Sequence, residues 1–294
     1  MGIPFVHAPD LERGQPERLT ERITRVIANN PGPFTYTGSG TYLLQGEGET
    51  WAIDPGPLDE AHLALLKQAA PSPITKIMIT HTHSDHCGGA NALKERTGAT
   101  TFGFGPHPSA PDDSPPALDE GADHSFKPDE LLSDGDSLVI PGLTIRALHT
   151  PGHISNHLCF VLEEEGALFT GDHIMGWATT VVAPPDGDMR SYMKSLDLLL
   201  ERRDRVYYPT HGAPITDPLP FVEAVREHRL GRDAAILREL EAGARSIEEL
   251  VEAIYVGLNP ALKIAAGLNV KAHLDGHVSD GTAEEIEPGR FALL

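Results

Sequence analysis

The 294 residues, 40% hydrophobic and 22% charged, are enough for one large globular domain, or a large one joined to a small one. A formal charge of −20 disfavours nucleic acid as a partner, because a phosphate backbone asks for a basic face, and it favours a small neutral substrate. No apolar run approaches the roughly 20 residues that cross a bilayer, and the first residues carry no basic stretch ahead of an apolar core, so neither a membrane span nor secretion is expected and the cytoplasm is.

Only two cysteines occur, Cys87 and Cys159, so no disulfide framework is expected. Residues 17–29 read as a short helix closed by the breaker run Asn30-Pro31-Gly32-Pro33. Two strands follow at 41–44 and 50–53, parted by Gly46-Glu47-Gly48 and stopped by Asp54-Pro55-Gly56-Pro57. Apolar residues at helical spacing (Leu58, Ala61, Leu65, Leu66, Ala69) predict a helix over 58–70, and residues 74–80 read as a buried strand. A helix over 90–96 ends at Gly98. Residues 104–136 are rich in proline, glycine and acids and have no period, which fits a solvated loop or an insertion bordering a substrate pocket.

Strands are expected again at 137–140, 143–148, 157–162 and 167–170, then a helix over 189–203 and a short strand at 206–208. From about residue 220 the texture turns helical: 221–243, then 246–256, where Ser246 and Glu249 form a capping-box pair, then 263–274. Residues 276–292 suggest a short hairpin. Three helices and a hairpin are winged-helix composition, so the chain divides into 1–220 and 221–294, an α/β body and a small winged-helix-like tail.

The chemistry concentrates in His81-Thr82-His83-Ser84-Asp85-His86, directly after a strand. Side chains at i and i+2 of an extended segment point the same way, so His81 and His83 converge on one ion, and the turn brings Asp85 and His86 alongside for another. His153, Asp172 and His211 each stand just beyond a further strand, next to glycine or proline. Seven imidazole and carboxylate ligands make a two-metal site, suited to two Zn²⁺ with Fe or Mn as other occupants. Two such ions, about 3.5–4 Å apart, could share a hydroxide able to attack a carbonyl or phosphoryl centre. Asp85 is the candidate to orient that nucleophile or accept its proton. No serine or cysteine motif offers a protein nucleophile.

HTHSDH, TPGH, TGDH and PTHG, in this order and over nearly the whole chain, resemble the metal-binding motifs of the metallo-β-lactamase superfamily. The resemblance implies an αββα four-layer sandwich. It puts His81, His83 and His153 on one metal and Asp85, His86 and His211 on the other, with Asp172 bridging. Asp54 matches the family's early strand-end aspartate near the site. HTPGHISNH, GDHIMG and the tail beginning EHRLGRDAAIL are similar to the beta-lactamase-like protein 2 branch, some of whose members are implicated in single-stranded RNA cleavage while others are promiscuous hydrolases. The β-CASP cap of other RNA-processing members does not fit between His153 and His211.

Several residues have two readings. His157 could orient His153 or donate to substrate, and His149 and His173 read as packing behind the ligands. Cys87 reads as a small buried packing residue. Met175 and Trp177 either line a pocket or cover core, Tyr207 and Tyr208 read as strand packing, and Lys194 as solvated. The leading expectation is hydrolysis of a small ester, lactone, thioester or β-lactam. RNA phosphodiester cleavage is the alternative, then an iron-dependent persulfide dioxygenase, and last a non-catalytic binding module. From Arg226 onward there are eight Lys or Arg against twelve Asp or Glu, a poor nucleic-acid clamp, so packing or a homodimer contact is the expected role of the tail.

Overall fold

The computed structural model describes residues 2–107 and 121–294. One sheet runs β1 (Pro16–Arg18), β2 (Ile23–Ile27), β3 (Gly40–Gln45), β4 (Thr50–Ile53), β5 (Ile74–Met78), β6 (Thr100–Gly103), β7 (Glu130–Leu131), in that spatial order. Helices α1 (Glu60–Ala69), α2 (Ser84–Cys87) and α3 (Ala90–Thr97) interrupt it in sequence. The second sheet is built from β8 (Ser137–Ile140), β9 (Leu143–His149), β10 (Leu158–Leu162), β11 (Ala167–Gly171) and β12 (Val206–Pro209), in the order β12-β11-β10-β9-β8. Helix α4 (Met189–Leu200) connects β11 to β12.

Three apolar layers explain why most strands read as continuous hydrophobic runs. Tyr42, Trp51, Ile53 and Met78 of the first sheet meet Ile145, Phe160, Phe169 and Tyr208 of the second. The first sheet's other face, with Leu43, Ala52 and Ile77, buries Leu63 and Leu66 of α1 and Leu93 of α3. The second sheet's other face, with Cys159, Val161, Leu168 and Tyr207, buries Tyr192, Leu196 and Leu199 of α4. Strands covered on both faces gain from apolar residues at every position, as in the wholly buried β10 and β11. The result is the αββα sandwich. Tyr207 and Tyr208 pack into different layers, as alternation along a strand requires.

The helix expected over 17–29 is not formed; this segment holds β1 and β2. Leu19, Ile23 and Val26 fall at helical spacing, but tertiary pairing overrides it. Ile23, Thr24, Val26 and Ile27 are β-branched and pair in register with β3 (Ile23↔Leu44, Ile27↔Gly40), so Ile23 enters the inter-sheet core and Val26 the outer one. Arg25 between them is buried, and its guanidinium donates to Glu17 of β1 and to the Gly212 carbonyl at 2.8 Å.

Within 104–136, residues 108–120 lie outside those described. The rest is more than a solvated loop. Phe126 and Leu132 are buried in the two cores of the first sheet. Asp123 N–H donates to Thr82 O at 2.8 Å, and Ala122 bridges to His83, so this stretch runs along the histidine motif.

Helix α5 (Pro218–Glu241) begins the tail and is shared. Phe221, Val222 and Val225 pack on the second sheet, whereas Ile236 and Leu240 enter a separate core with Leu250, Val270, Leu274 and Phe291. After it come β13 (Arg245–Ser246), α6 (Ile247–Ile254), α7 (Lys263–Ser279), β14 (Ala283–Glu287) and β15 (Arg290–Leu293), with sheet order β13-β15-β14. The capping box of Ser246 and Glu249 is formed at α6. The hairpin is shorter than 276–292, because α7 continues through Gly276 to Ser279. No helix among the described residues is long and apolar enough to cross a membrane.

Candidate metal centre

Strand direction decides where the polar residues meet. β4 and β5 are parallel, and β9 and β11 both pair antiparallel to β10, while β12 is parallel to β11. Each of these strands therefore ends at the same edge of its sheet. Asp54 follows β4, His81 to His86 follow β5, His153 follows β9, Asp172 follows β11 and His211 follows β12.

Their ligand atoms converge. His81 Nε2 lies 2.9 Å from His83 Nδ1, which lies 3.2 Å from His153 Nε2. On the other side, His211 Nε2 is 3.3 Å from Asp85 Oδ2 and 3.3 Å from Asp172 Oδ1. His86 Nε2 stands 3.5 Å from Asp85 Oδ2 and 3.4 Å from Asp172 Oδ1. The other oxygen of Asp172, Oδ2, faces His153 Nε2 at 4.0 Å. Among the described residues, the donor groups that could hold a cation are His81/His83/His153, Asp85/His86/His211, and His81/His86/Asp172 between them.

The separations of 3.3–3.5 Å among Asp85, His86, Asp172 and His211 match a cation better than they match hydrogen bonding, whereas the three imidazoles of the other group stand at hydrogen-bond distance. Donors about 2.0–2.2 Å from one tetrahedral ion lie about 3.3–3.6 Å apart. Nε2 of His86 and Oδ1 of Asp172 are buried without a hydrogen-bond partner among the described residues, a costly state unless a cation fills the space between donors. Burial opposes charge on Asp85 and Asp172, yet the neighbouring His86 and His211 hold both carboxylates below their usual range. Burial likewise opposes protonation of His211, but Asp172 and Asp85 raise it to about 10. Positive charge is what these carboxylates favour. His81 is instead pushed well below the ordinary histidine value by burial and by the surrounding imidazoles, into the neutral form that ligates metals. The residues fit a bound metal cation.

The supporting contacts are specific. Asp54 takes a left-handed backbone (φ 48°), tolerable for aspartate, and accepts from Thr80 N at 2.8 Å, Thr80 Oγ1 at 2.7 Å and Thr210 Oγ1 at 3.2 Å. It also receives Nδ1–H of His86 at 2.8 Å, which aims Nε2 at the centre. Asp172 N–H donates to His157 Nε2 at 3.2 Å, so Nδ1–H of His157 donates to Thr150 Oγ1 at 2.9 Å. Gly171 makes that approach possible: its φ is +49°, and a Cβ there would sit 2.6 Å from His157 Nε2. Ser39 Oγ donates to Asp85 Oδ2 at 2.9 Å, and His153 Nδ1–H donates to Val181 O at 2.6 Å.

The remaining singled-out residues fall into place. His157 thus acts on Asp172 rather than on substrate. His149 stacks on Phe104, ring centres 4.1 Å apart, and His173 is buried against Tyr192, its two ring nitrogens without a hydrogen-bond partner among the described residues. Cys87 is buried, its thiol pushed up chiefly by burial, and Lys194 is exposed. Trp177 stacks on Tyr36 at 4.7 Å and 9°, and a Cβ on Gly212, next to His211, would be 3.2 Å from its Cδ1. Sequence reasoning did not single out Ser39, Tyr36, Thr180, Val181 or the threonines. Thr80 and Thr210 did carry a signal, since each immediately precedes a ligand histidine.

Comparison with known proteins agrees with this geometry. The family described as Metallo-beta-lactamase superfamily matches residues 37–211. An atrochrysone carboxyl ACP thioesterase of Aspergillus chevalieri is 36% identical over 253 residues, covering 81% of this chain and 75% of that one. A beta-lactamase-like protein 2 homolog of Caenorhabditis elegans is 32% identical over 286 residues, 94% of this chain and 91% of that one. A metallo-beta-lactamase family protein from Thermus thermophilus superposes with a TM-score of 0.75 at 24% identity, over 94% of this chain and all of that one. The motif order, the converging strand ends and these likenesses lead to one assignment: the chain is a hydrolase belonging to the metallo-β-lactamase superfamily.

Proposed function

We propose that the chain is a binuclear zinc hydrolase of small acyl thioesters and esters. The observation that carries the reading is the divided carboxylate of Asp172, with Oδ1 between His86 and His211 and Oδ2 towards His153. His81, His83 and His153 would hold one cation, Asp85, His86 and His211 the other, and Asp172 would join both. Bound there, the cations supply a water of near-neutral pKa and a Lewis acid for the acyl oxygen. The chain's own part is to keep the donors fixed. Asp54 orients His86, His157 anchors Asp172, and Ser39 holds Oδ2 of Asp85 towards His86 and His211. Water adds to the acyl carbon and the thiol or alcohol leaves with a proton, so no covalent enzyme intermediate is needed.

Thioesters are preferred over phosphodiesters for two reasons. The charge of −20 repels a polyanion, and curated relatives are named thioesterases. The partly buried Tyr36–Trp177 stack beside His211 offers an apolar wall suited to an acyl chain. The tail order α5–β13–α6–α7–β14–β15 supports a winged-helix-like reading, with packing as its role. The deciding experiment measures bound metal, then turnover of an S-acyl thioester, p-nitrophenyl esters, nitrocefin, bis-p-nitrophenyl phosphate and labelled single-stranded RNA, with and without chelator. Thioester and ester turnover lost on chelation and restored by Zn²⁺ is expected. Turnover confined to the phosphodiesters, or indifferent to chelator, overturns the reading.

A further inference from the structure

The segment 180–182, which follows the Asp172 strand end, is held from both sides. Towards the centre, Thr180 Oγ1 donates to the carbonyl of Asp172 at 2.6 Å and lies 3.1 Å from that of His173. Val181 O receives Nδ1–H of His153 at 2.6 Å, which fixes its tautomer and leaves Nε2 for ligation. Away from the centre, the contacts come from the tail. Arg229 of α5 donates through Nη2 to Thr180 O and through Nη1 to Asn269 Oδ1 of α7 at 3.1 Å. The same Asn269 Oδ1 receives Val182 N–H at 3.1 Å, and Asn269 Nδ2 is tied to Ala265 O of its own helix at 2.9 Å. The Arg229 guanidinium also lies 5.2 Å from the ring centre of Tyr192, whose hydroxyl donates to His173 O at 2.9 Å.

Thr180, Val182, Arg229 and Asn269 are all buried. A buried guanidinium is expensive unless its donors are used. Here its two terminal nitrogens both go to neutral oxygens, one of them in the segment that carries His153's partner, while Nε has no partner among the described residues. Packing alone would be served by an apolar residue at 229. A charged, directional one, with Asn269 beside it, fixes the height and orientation of two consecutive peptide groups, 180–181 and 181–182.

We infer that Arg229 and Asn269 are positioning residues through which the tail sets His153 and Asp172, and so sets metal affinity at the His81/His83/His153 position. The tail then completes the centre without contacting substrate, from residues that lie 76 and 116 positions beyond His153 in sequence. The inference rests on His153 and Asp172 being metal ligands.

The test uses the full chain and four variants: Asn269→Leu, near in size but without an acceptor; Asn269→Asp, which keeps one; Thr180→Val, which acts from within the body; and His153→Ala as control. Zn²⁺ affinity is read by competition with a chromophoric chelator and Co²⁺ spectra report the geometry, while circular dichroism and a melt of the metal-free protein report folding. N269L and T180V are expected to keep the fold, retain one equivalent, and weaken at least about tenfold for the equivalent that H153A loses. N269D is expected to stay near the parent. Two equivalents bound with parental affinity by folded N269L and T180V overturn the inference, and so does N269D as weak as N269L. If H153A itself leaves Zn²⁺ binding unchanged, the ligand assignment fails instead. Arg229→Lys, which retains one donor to Thr180 O but not the fork, serves if N269L does not fold; parental affinity in it counts against the inference.

Discussion

Asp54 receives the Nδ1–H of His86 at 2.8 Å while standing in a left-handed backbone conformation between the ends of β4, β5 and β12. One carboxylate thus fixes a ligand's ring and ties together strands distant in sequence. Asparagine tolerates the same φ and keeps an oxygen, but it puts a donor where a second acceptor is needed. Asp54→Asn is therefore expected to fold, and to lose about 10–100-fold in affinity for the metal held with His86. Chelator competition alongside a melting curve checks this, and unchanged affinity would falsify the orienting role.

Asp172 and His157 should fail in different ways. Asp172→Ala removes the oxygens between both donor groups, so every metal-dependent activity should fall at least about a thousandfold, roughly 4 kcal/mol in transition-state terms. His157→Phe keeps an aromatic ring, somewhat larger than the imidazole, but leaves the buried Asp172 N–H without an acceptor. The cost should be about 1–3 kcal/mol of stability, with weaker metal binding as Asp172 shifts. Denaturation and metal titration measure the two separately. A His157→Phe protein as stable as the parent would show that the contact to Asp172 does not matter.

Much of the centre was legible because its chemistry is local. Four of the seven expected ligands sit within His81–His86, and the other three each follow a strand and a glycine or proline. The strands buried on both faces were legible too, as continuous apolar runs. What escaped was tertiary. Residues 17–29 have a helical spacing that only pairing with β3 overrules. Arg229 and Asn269 carry no local mark, since an arginine at mid-helix looks like any solvated charge until its burial is known. His157 was ambiguous because its partner, the Asp172 amide, is a backbone group fifteen residues away.

His62 on α1 predicts a pH effect separable from the metals. It is buried with Nε2 3.0 Å from Thr41 Oγ1, and burial lowers it from 6.5 to about 4. The unfolded chain therefore binds the extra proton first as pH falls. Stability is fully present above pH 6.5 and is lost between about 6.5 and 4, by on the order of 2–3 kcal/mol. Metal-free parent and His62→Gln, unfolded in urea at several pH values, should converge in stability by this amount on acidification. A constant gap from pH 7 to pH 4 counts against it.

Trp177 tests substrate binding apart from chemistry. It does not belong to either donor group, yet it stacks on Tyr36 and lies against the Gly212 that follows His211. An apolar wall touching a substrate's acyl part stabilises ground and transition states alike, so its removal should raise KM and leave kcat nearly unchanged. Trp177→Ala is expected to raise KM for a long-chain acyl thioester about 5–10-fold, near 1–1.4 kcal/mol, and to do less with an acetyl thioester. Trp177→Phe, which keeps a ring on Tyr36, should recover most of the loss. If kcat falls instead while KM holds, Trp177 acts by placing His211, and the apolar wall is not where the acyl chain lies.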